Sequence, residues 1–184
     1  KLEINLSIDG TGDTQDFQRK GSVWSEVKPN IIKYRDEFRD TTIQMTASAI
    51  NFTVLDTWWE EMMELDIPMH SNPVFFPKEY SLRCIPDKYK ESQVTWLKDW
   101  IEKTDTGNTL TAQELNKITD YNEWKRNKGS RQIVEAEVAI SILENHSYRE
   151  DYNRIFKREV KKMDGWRNEN ISDLDYRFQE ILDA

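Results

Sequence analysis

Leu2-Glu3-Ile4-Asn5-Leu6-Ser7-Ile8-Asp9-Gly10 is the stretch whose reading decides the fold. Successive side chains of an extended segment point to opposite sides. Leu2, Ile4, Leu6 and Ile8 therefore form one apolar face, and Glu3, Asn5, Ser7 and Asp9 a polar one. This predicts a strand. Gly10 and Gly12 let the chain turn at once, which leaves Ser7 and Asp9 at the strand's carboxyl end, where ligands sit in barrels and open α/β sheets.

Working outward, residues 41–50 repeat the pattern, with Ile43, Met45, Ala47 and Ala49 on one face and Thr42, Gln44, Thr46 and Ser48 on the other. Two strands with half-polar faces fit a sheet that lines a wet cavity, or an open sheet whose polar face meets solvent. Between them, 11–20 reads as a polar loop whose only cations are Arg19 and Lys20. It is followed by a helix over 22–38 that carries Trp24, Val27, Ile31, Tyr34 and Phe38 at spacings of three or four. Pro29 falls inside that helix and predicts a late start or a kink. A helix over 55–65 carries Leu55, Trp58, Trp59, Met62 and Leu65, a core stripe at helical spacing. A third strand over 67–76 places His70 and Asn72 on one face, and 80–85 reads as a fourth extended piece.

Strands separated by helices predict α/β architecture with parallel pairing. After Pro86 the pattern is helical only. Helices are expected over 87–103, from a Thr111/Glu114 capping box to 124, and over 133–143, 148–163 and 172–182. Gly129-Ser130 and Asp164-Gly165 punctuate them. The expected division is an α/β part over 1–86 and a helical region over 87–184.

The chain has 184 residues, enough to bury a core. Charged residues make up 33% and hydrophobic ones 37%, and seven each of Trp, Tyr and Phe argue for a folded rather than a disordered chain. A net charge of −8 disfavours nonspecific binding to nucleic acid or to an anionic membrane. No apolar run reaches the roughly 20 residues of a membrane helix. The single cysteine, Cys84, excludes an internal disulfide, fits a reducing cytoplasm and reads as a small buried hydrophobe. The sequence opens at Lys1 directly in a strand pattern, which is read as the start of a carboxyl-terminal part of something longer.

Phosphate loops, dinucleotide turns, nucleophile elbows and zinc helices are all missing. His70 and His146 are not spaced with other residues as metal ligands. By chemistry alone, no catalytic residue declares itself.

Four stretches, however, carry a resemblance. Ser7-Ile8-Asp9-Gly10, a polar loop reaching Arg19, then Gly21-Ser22 and the helix near Trp24 resemble the fourth strand, loop and helix of radical S-adenosylmethionine (radical SAM) enzymes. Asn51 falls where those families commonly have an Asn. Pro68-Met69-His70-Ser71-Asn72-Pro73, continuing to Tyr80-Ser81-Leu82-Arg83 and 85–90, looks like the sixth strand and exit of twitch-domain-containing members. Met163-Asp164-Gly165-Trp166-Arg167-Asn168 resembles their terminal Asp and Arg signature.

The resemblance implies half of a partial (β/α)6 barrel, its last three strands, followed by a mostly helical tail. It implies that Ser7 and Asp9 lie near the ribose or methionine of S-adenosylmethionine, that Arg19 pairs with its carboxylate, and that Asn51 hydrogen-bonds the cofactor. It further implies a deoxyadenosyl radical that modifies an unidentified substrate, a peptide among the candidates. The family holds a four-iron four-sulfur cluster on a Cys-x-x-x-Cys-x-x-Cys loop, and one cysteine cannot supply three thiolates. As this fragment the chain is expected to be catalytically incompetent, with the cluster confined to a parent protein whose amino-terminal half is its partner. The alternative is a non-catalytic module, with an α/β core and a helical tail, that binds a small ligand or another protein.

Overall fold

The structure, a computed structural model, describes residues 2–38 and 40–183. Lys1, at the expected entry into the first strand, lies outside the described residues. Three parallel strands form the one sheet among the described residues, in the order β1 (Ile4–Ser7), β2 (Thr41–Ala47), β3 (Met69–Pro73). Sheet order equals chain order, and each neighbouring pair is joined through helices, as parallel pairing requires. Register pairs Ser7 with Gln44 and Gln44 with His70, then Thr46 with Asn72 in the next row.

The two faces of this sheet have opposite fates. Ile43, Met45, Ala47 and Met69 are at most 1% exposed. They share one buried cluster with Ile31 of α2 (Trp24–Glu37) and with Trp58, Trp59 and Met62 of α4 (Leu55–Glu64). On the other face Asn5, Ser7, Thr46, His70 and Asn72 are exposed. Parallel sheets normally have both faces covered, so this polar face stands bare in the chain.

The edges differ as well. The outer edge of β3 lies against α8 (Lys128–Glu144), whose Glu135 takes the Met69 N–H as hydrogen-bond partner. Along β1, alternation sends the N–H and C=O of Asn5 and Ser7 away from β2, where no element pairs with them among the described residues.

The helical region shares the core of the sheet. α5 (Asp87–Thr104) packs on α8 and α4, and α9 (Glu150–Arg167) packs over the turns at Lys78–Tyr80 and Leu82–Cys84. α10 (Tyr176–Asp183) closes the chain, with Phe178 and Ile181 buried. The core therefore runs without interruption from Ile8 past residue 86 to Ile181.

Several expectations require correction. The expected loop at 11–20 contains α1 (Gly12–Gln18), because Thr14, Gln15 and Phe17 are buried and fold the segment onto the sheet. The second strand stops at Ala47, where Ser48 caps α3 (Ala49–Thr53). The extended piece at 80–85 is two turns of 3-10 helix, the second begun by Ser81, whose hydroxyl accepts the Arg83 N–H. The Thr111/Glu114 capping box is present, yet its helix α6 (Ala112–Leu115) ends early and α7 (Tyr121–Arg126) follows separately.

Gly129-Ser130 lies inside α8, where Ser130 is buried and its hydroxyl accepts the Leu110 N–H. α9 runs through Asp164-Gly165 because the stripe Tyr152, Phe156, Val160, Met163 continues on its packed side and Gly165 faces solvent. The stop comes at Asn168, whose φ of 52° is a left-handed conformation that Asn tolerates. Pro29 is accommodated within α2, which starts at Trp24.

Candidate functional site

The strands deliver their carboxyl ends to one place. Gly10 is needed there twice over: its φ is +150°, and a Cβ would meet the Thr14 side chain at 2.9 Å. The turn it makes lets α1 fold back on Asp9, whose N–H donates to Gln15 Oε1 at 2.8 Å and whose carbonyl accepts from Gln18 Nε2 at 2.9 Å.

Asp9 is 7% exposed and fully engaged. Oδ1 accepts the Thr46 N–H at 2.9 Å, and Oδ2 pairs with Arg19 Nε at 2.9 Å. The carboxylate thus ties β1 to β2 and aims the guanidinium of Arg19, whose side chain keeps 39% of its surface exposed. Asn51, 0% exposed, completes the tie. Its Nδ2 donates to the carbonyls of Asp9 (2.9 Å) and Thr46 (2.8 Å), and its Oδ1 accepts the Ser48 N–H at 2.8 Å. Ser48 Oγ lies 3.1 Å from the same Oδ1 and 2.9 Å from Gln18 Oε1, so its one proton serves either. Trp58 Nε1 donates to the Asn51 carbonyl at 2.9 Å, which anchors the network in the core.

Around this network opens a cavity of about 290 Å³. Its polar side is Asp9, Gln18, Thr46 and Ser48, and its apolar side includes Phe17, Phe76 and Tyr80. Met163 and Arg167 of α9 close it. Arg167 Nη1 donates to the Phe17 carbonyl at 2.7 Å, and a Lys20–Glu169 ion pair fastens the same two segments.

Of the four residues singled out in the sequence, Asp9, Arg19 and Asn51 meet in this network. Ser7 stands apart on the bare face of the sheet, in the row of Gln44 and His70. The amide of Asn51 is committed to the protein at every donor and at its oxygen, so what it offers a ligand is the fixed position of Asp9 and Ser48. Gln15, Gln18 and Ser48 escaped sequence reading. Ser48-Ala49-Ile50-Asn51 is a short capping box that the strand pattern overlaid.

Among the described residues no group of three or more His, Cys, Asp or Glu is placed to hold a metal ion. Cys84 is 1% exposed, and burial pushes its thiol up to about 12, with Glu79 and Asp151 adding to the shift. No helix among the described residues is long and apolar enough to cross a membrane. Comparison of the chain with family models, with curated proteins and with solved structures gives no match.

Proposed function

We propose that the chain is the S-adenosylmethionine-binding, carboxyl-terminal half of a radical SAM enzyme, whose whole generates a deoxyadenosyl radical to modify an unidentified substrate, a peptide among the candidates. One observation carries the reading. The stretches that resemble the family are far apart in sequence, yet Asp9 and Gln18 of the first, Tyr80 of the third, and Met163 with Arg167 of the last line one cavity at the carboxyl ends of the strands. The consecutive parallel order of β1, β2 and β3, the bare polar face and the unpaired edge of β1 are what half of a partial barrel leaves open.

The donor set fits S-adenosylmethionine. Arg19 is held at Nε by Asp9 beside the cavity, outside its lining, and on this reading turns its guanidinium to the methionine carboxylate when the ligand binds. Gln18 and Ser48 supply an amide and a hydroxyl, and Phe76 and Tyr80 an aromatic wall for the adenosyl group. An iron–sulfur cluster does not fit this chain, since its one thiol is buried and protonated. Cluster ligands belong to an amino-terminal half that pairs along β1, and such a protein would reside in the reducing cytoplasm. The rival is a non-catalytic module for a small ligand or a protein, favoured by Trp166 at 83% and Phe76 at 76% exposed.

Calorimetric titration with S-adenosylmethionine, on this chain and on the chain joined to its upstream half, tests the reading. Loss of the charged contact in Arg19→Ala weakens binding roughly tenfold to a hundredfold, from about 1.5–3 kcal/mol. The joined protein should contain iron and release 5′-deoxyadenosine under reduction. No binding at millimolar ligand to either form, or equal affinity in Arg19→Ala, overturns it. Binding without iron or deoxyadenosine selects the module.

A further inference from the structure

A second cavity, of about 400 Å³, lies between α8 and the outer edge of β3 and shares no residue with the first. Met63, Leu115, Trp124 and Val138 supply apolar surface, and Val138 is 40% exposed. The titratable and charged groups that line it are Asp66 from the loop after α4, His70 from β3, and Arg131 and Glu135 from α8.

Their charges do not balance. Arg131 Nη2 is held by Asp66 Oδ1 at 2.9 Å, and its guanidinium stacks 3.8 Å above the Trp124 ring. Arg131 and Glu135 are one turn apart without an ion pair between them, and the carboxyl of Glu135 has the Met69 N–H as its hydrogen-bond donor and the charge of Arg131 at longer range. Burial pushes this carboxyl up to about 7, against the pull of Met69 and Arg131. One cation thus faces two acids in a wall that is half apolar and half polar, with Ser71, Asn72, Asn116 and Gln132 among its uncharged groups, and a partly buried carboxylate without an ion pair favours a cation beside it.

We propose that this cavity binds an alkylammonium group on an apolar stem, with Glu135 as its counter-ion. A free aliphatic amine and the side chain of a lysine in a peptide share that chemistry. The ammonium replaces the missing charge beside Glu135, and the stem lies against Met63, Leu115 and Val138. Binding selects the ionised carboxylate, so affinity rises with pH across the range in which Glu135 titrates.

Methyl-13C methionine labelling gives a local readout, because Met63 and Met69 line this cavity and Met45, Met62 and Met163 do not. The probes are n-pentylamine, its neutral counterpart 1-pentanol, and an N-acetylated tripeptide amide with a central lysine. At pH 8 pentylamine or the tripeptide should move the Met63 and Met69 resonances selectively, at least tenfold more tightly than at pH 5.5, and the tighter of the two names the source. Glu135→Gln should remove the pH dependence and most of the affinity, and His70→Gln should retain both. The proposal is overturned if neither amine moves these two methyls at pH 8, or if Glu135→Gln binds as the parent does. It is equally overturned if 1-pentanol matches pentylamine at pH 8, a comparison that needs no variant.

Discussion

Asn51 is the group whose replacement tests the candidate site most sharply. In Asn51→Ala the Thr46 carbonyl and the Ser48 N–H lose their partners, whereas the Asp9 carbonyl keeps Gln18 Nε2. A buried group left unsatisfied costs roughly 1–3 kcal/mol; the Ser48 N–H is buried and the Thr46 carbonyl, only part-buried, can turn to water, so the loss predicted is about 1–3 kcal/mol from Ser48 with a smaller addition from Thr46. That is a readable fraction of the roughly 5–15 kcal/mol that holds a domain folded. Asn51→Asp keeps the shape and the acceptor for the Ser48 N–H but replaces the donor with an oxygen facing two carbonyls. At pH 7 it should cost at least as much as Asn51→Ala. Urea unfolding followed by tryptophan fluorescence reads both, with the midpoint shifted and the slope unchanged. If Asn51→Asp lies within about 1 kcal/mol of the parent, the donor role assigned to Nδ2 is wrong and so is the network built on it.

Arg177 offers a second test, since its side chain, 8% exposed, bridges Asp175 at 2.7 Å and Asp56 at 2.9 Å and docks α10 against α4. Arg177→Met leaves two carboxylates without their cation and should cost roughly 3–5 kcal/mol in the same urea assay. Burial would raise the Asp175 carboxyl, but the Arg177 hydrogen bonds and charge outweigh it and hold it below its ordinary value. A depressed folded value means that its contribution is present above the unfolded carboxylate range and lost as pH falls through the folded one. The parent should therefore lose stability in acid more steeply than Arg177→Met. At Cys84 the thiol stands at about 12. Thiolate-specific labelling at pH 8 should run about a thousandfold slower than in the unfolded chain, and labelling at the unfolded rate would contradict its burial.

Sequence reading reached the strands where one face is buried, because a period of two is then enforced by the core. Leu6 and Ile8, and Ile43, Met45 and Ala47, fall on the apolar side as their spacing says. The α4 stripe of Trp58, Trp59 and Met62 was legible for the same reason at helical period. What stayed hidden depends on partners distant in sequence. α1 is held by Gln15 and Gln18 reaching Asp9, and nothing in 12–18 announces that contact. The end of α9 is set by the left-handed Asn168, so Asp164-Gly165 was a stop signal placed three residues early. In the site, Asp9, Arg19 and Asn51, singled out through the family resemblance, meet in one hydrogen-bonded network, and Ser7 does not join it. The supporting role of Asn51 was invisible because its partners are backbone carbonyls at 9 and 46.

The unequal edges of the sheet set a limit on self-association. A sheet that grows without end needs two open sides, and here α8 blocks one of them with Glu135 on the Met69 N–H. Among the described residues, edge-to-edge strand pairing of two copies is open along β1, by a two-fold axis that uses up the open edge of each. Aggregation by strand addition therefore terminates at a dimer. With respect to strand addition the folded molecule is a chain stopper for its own sheet.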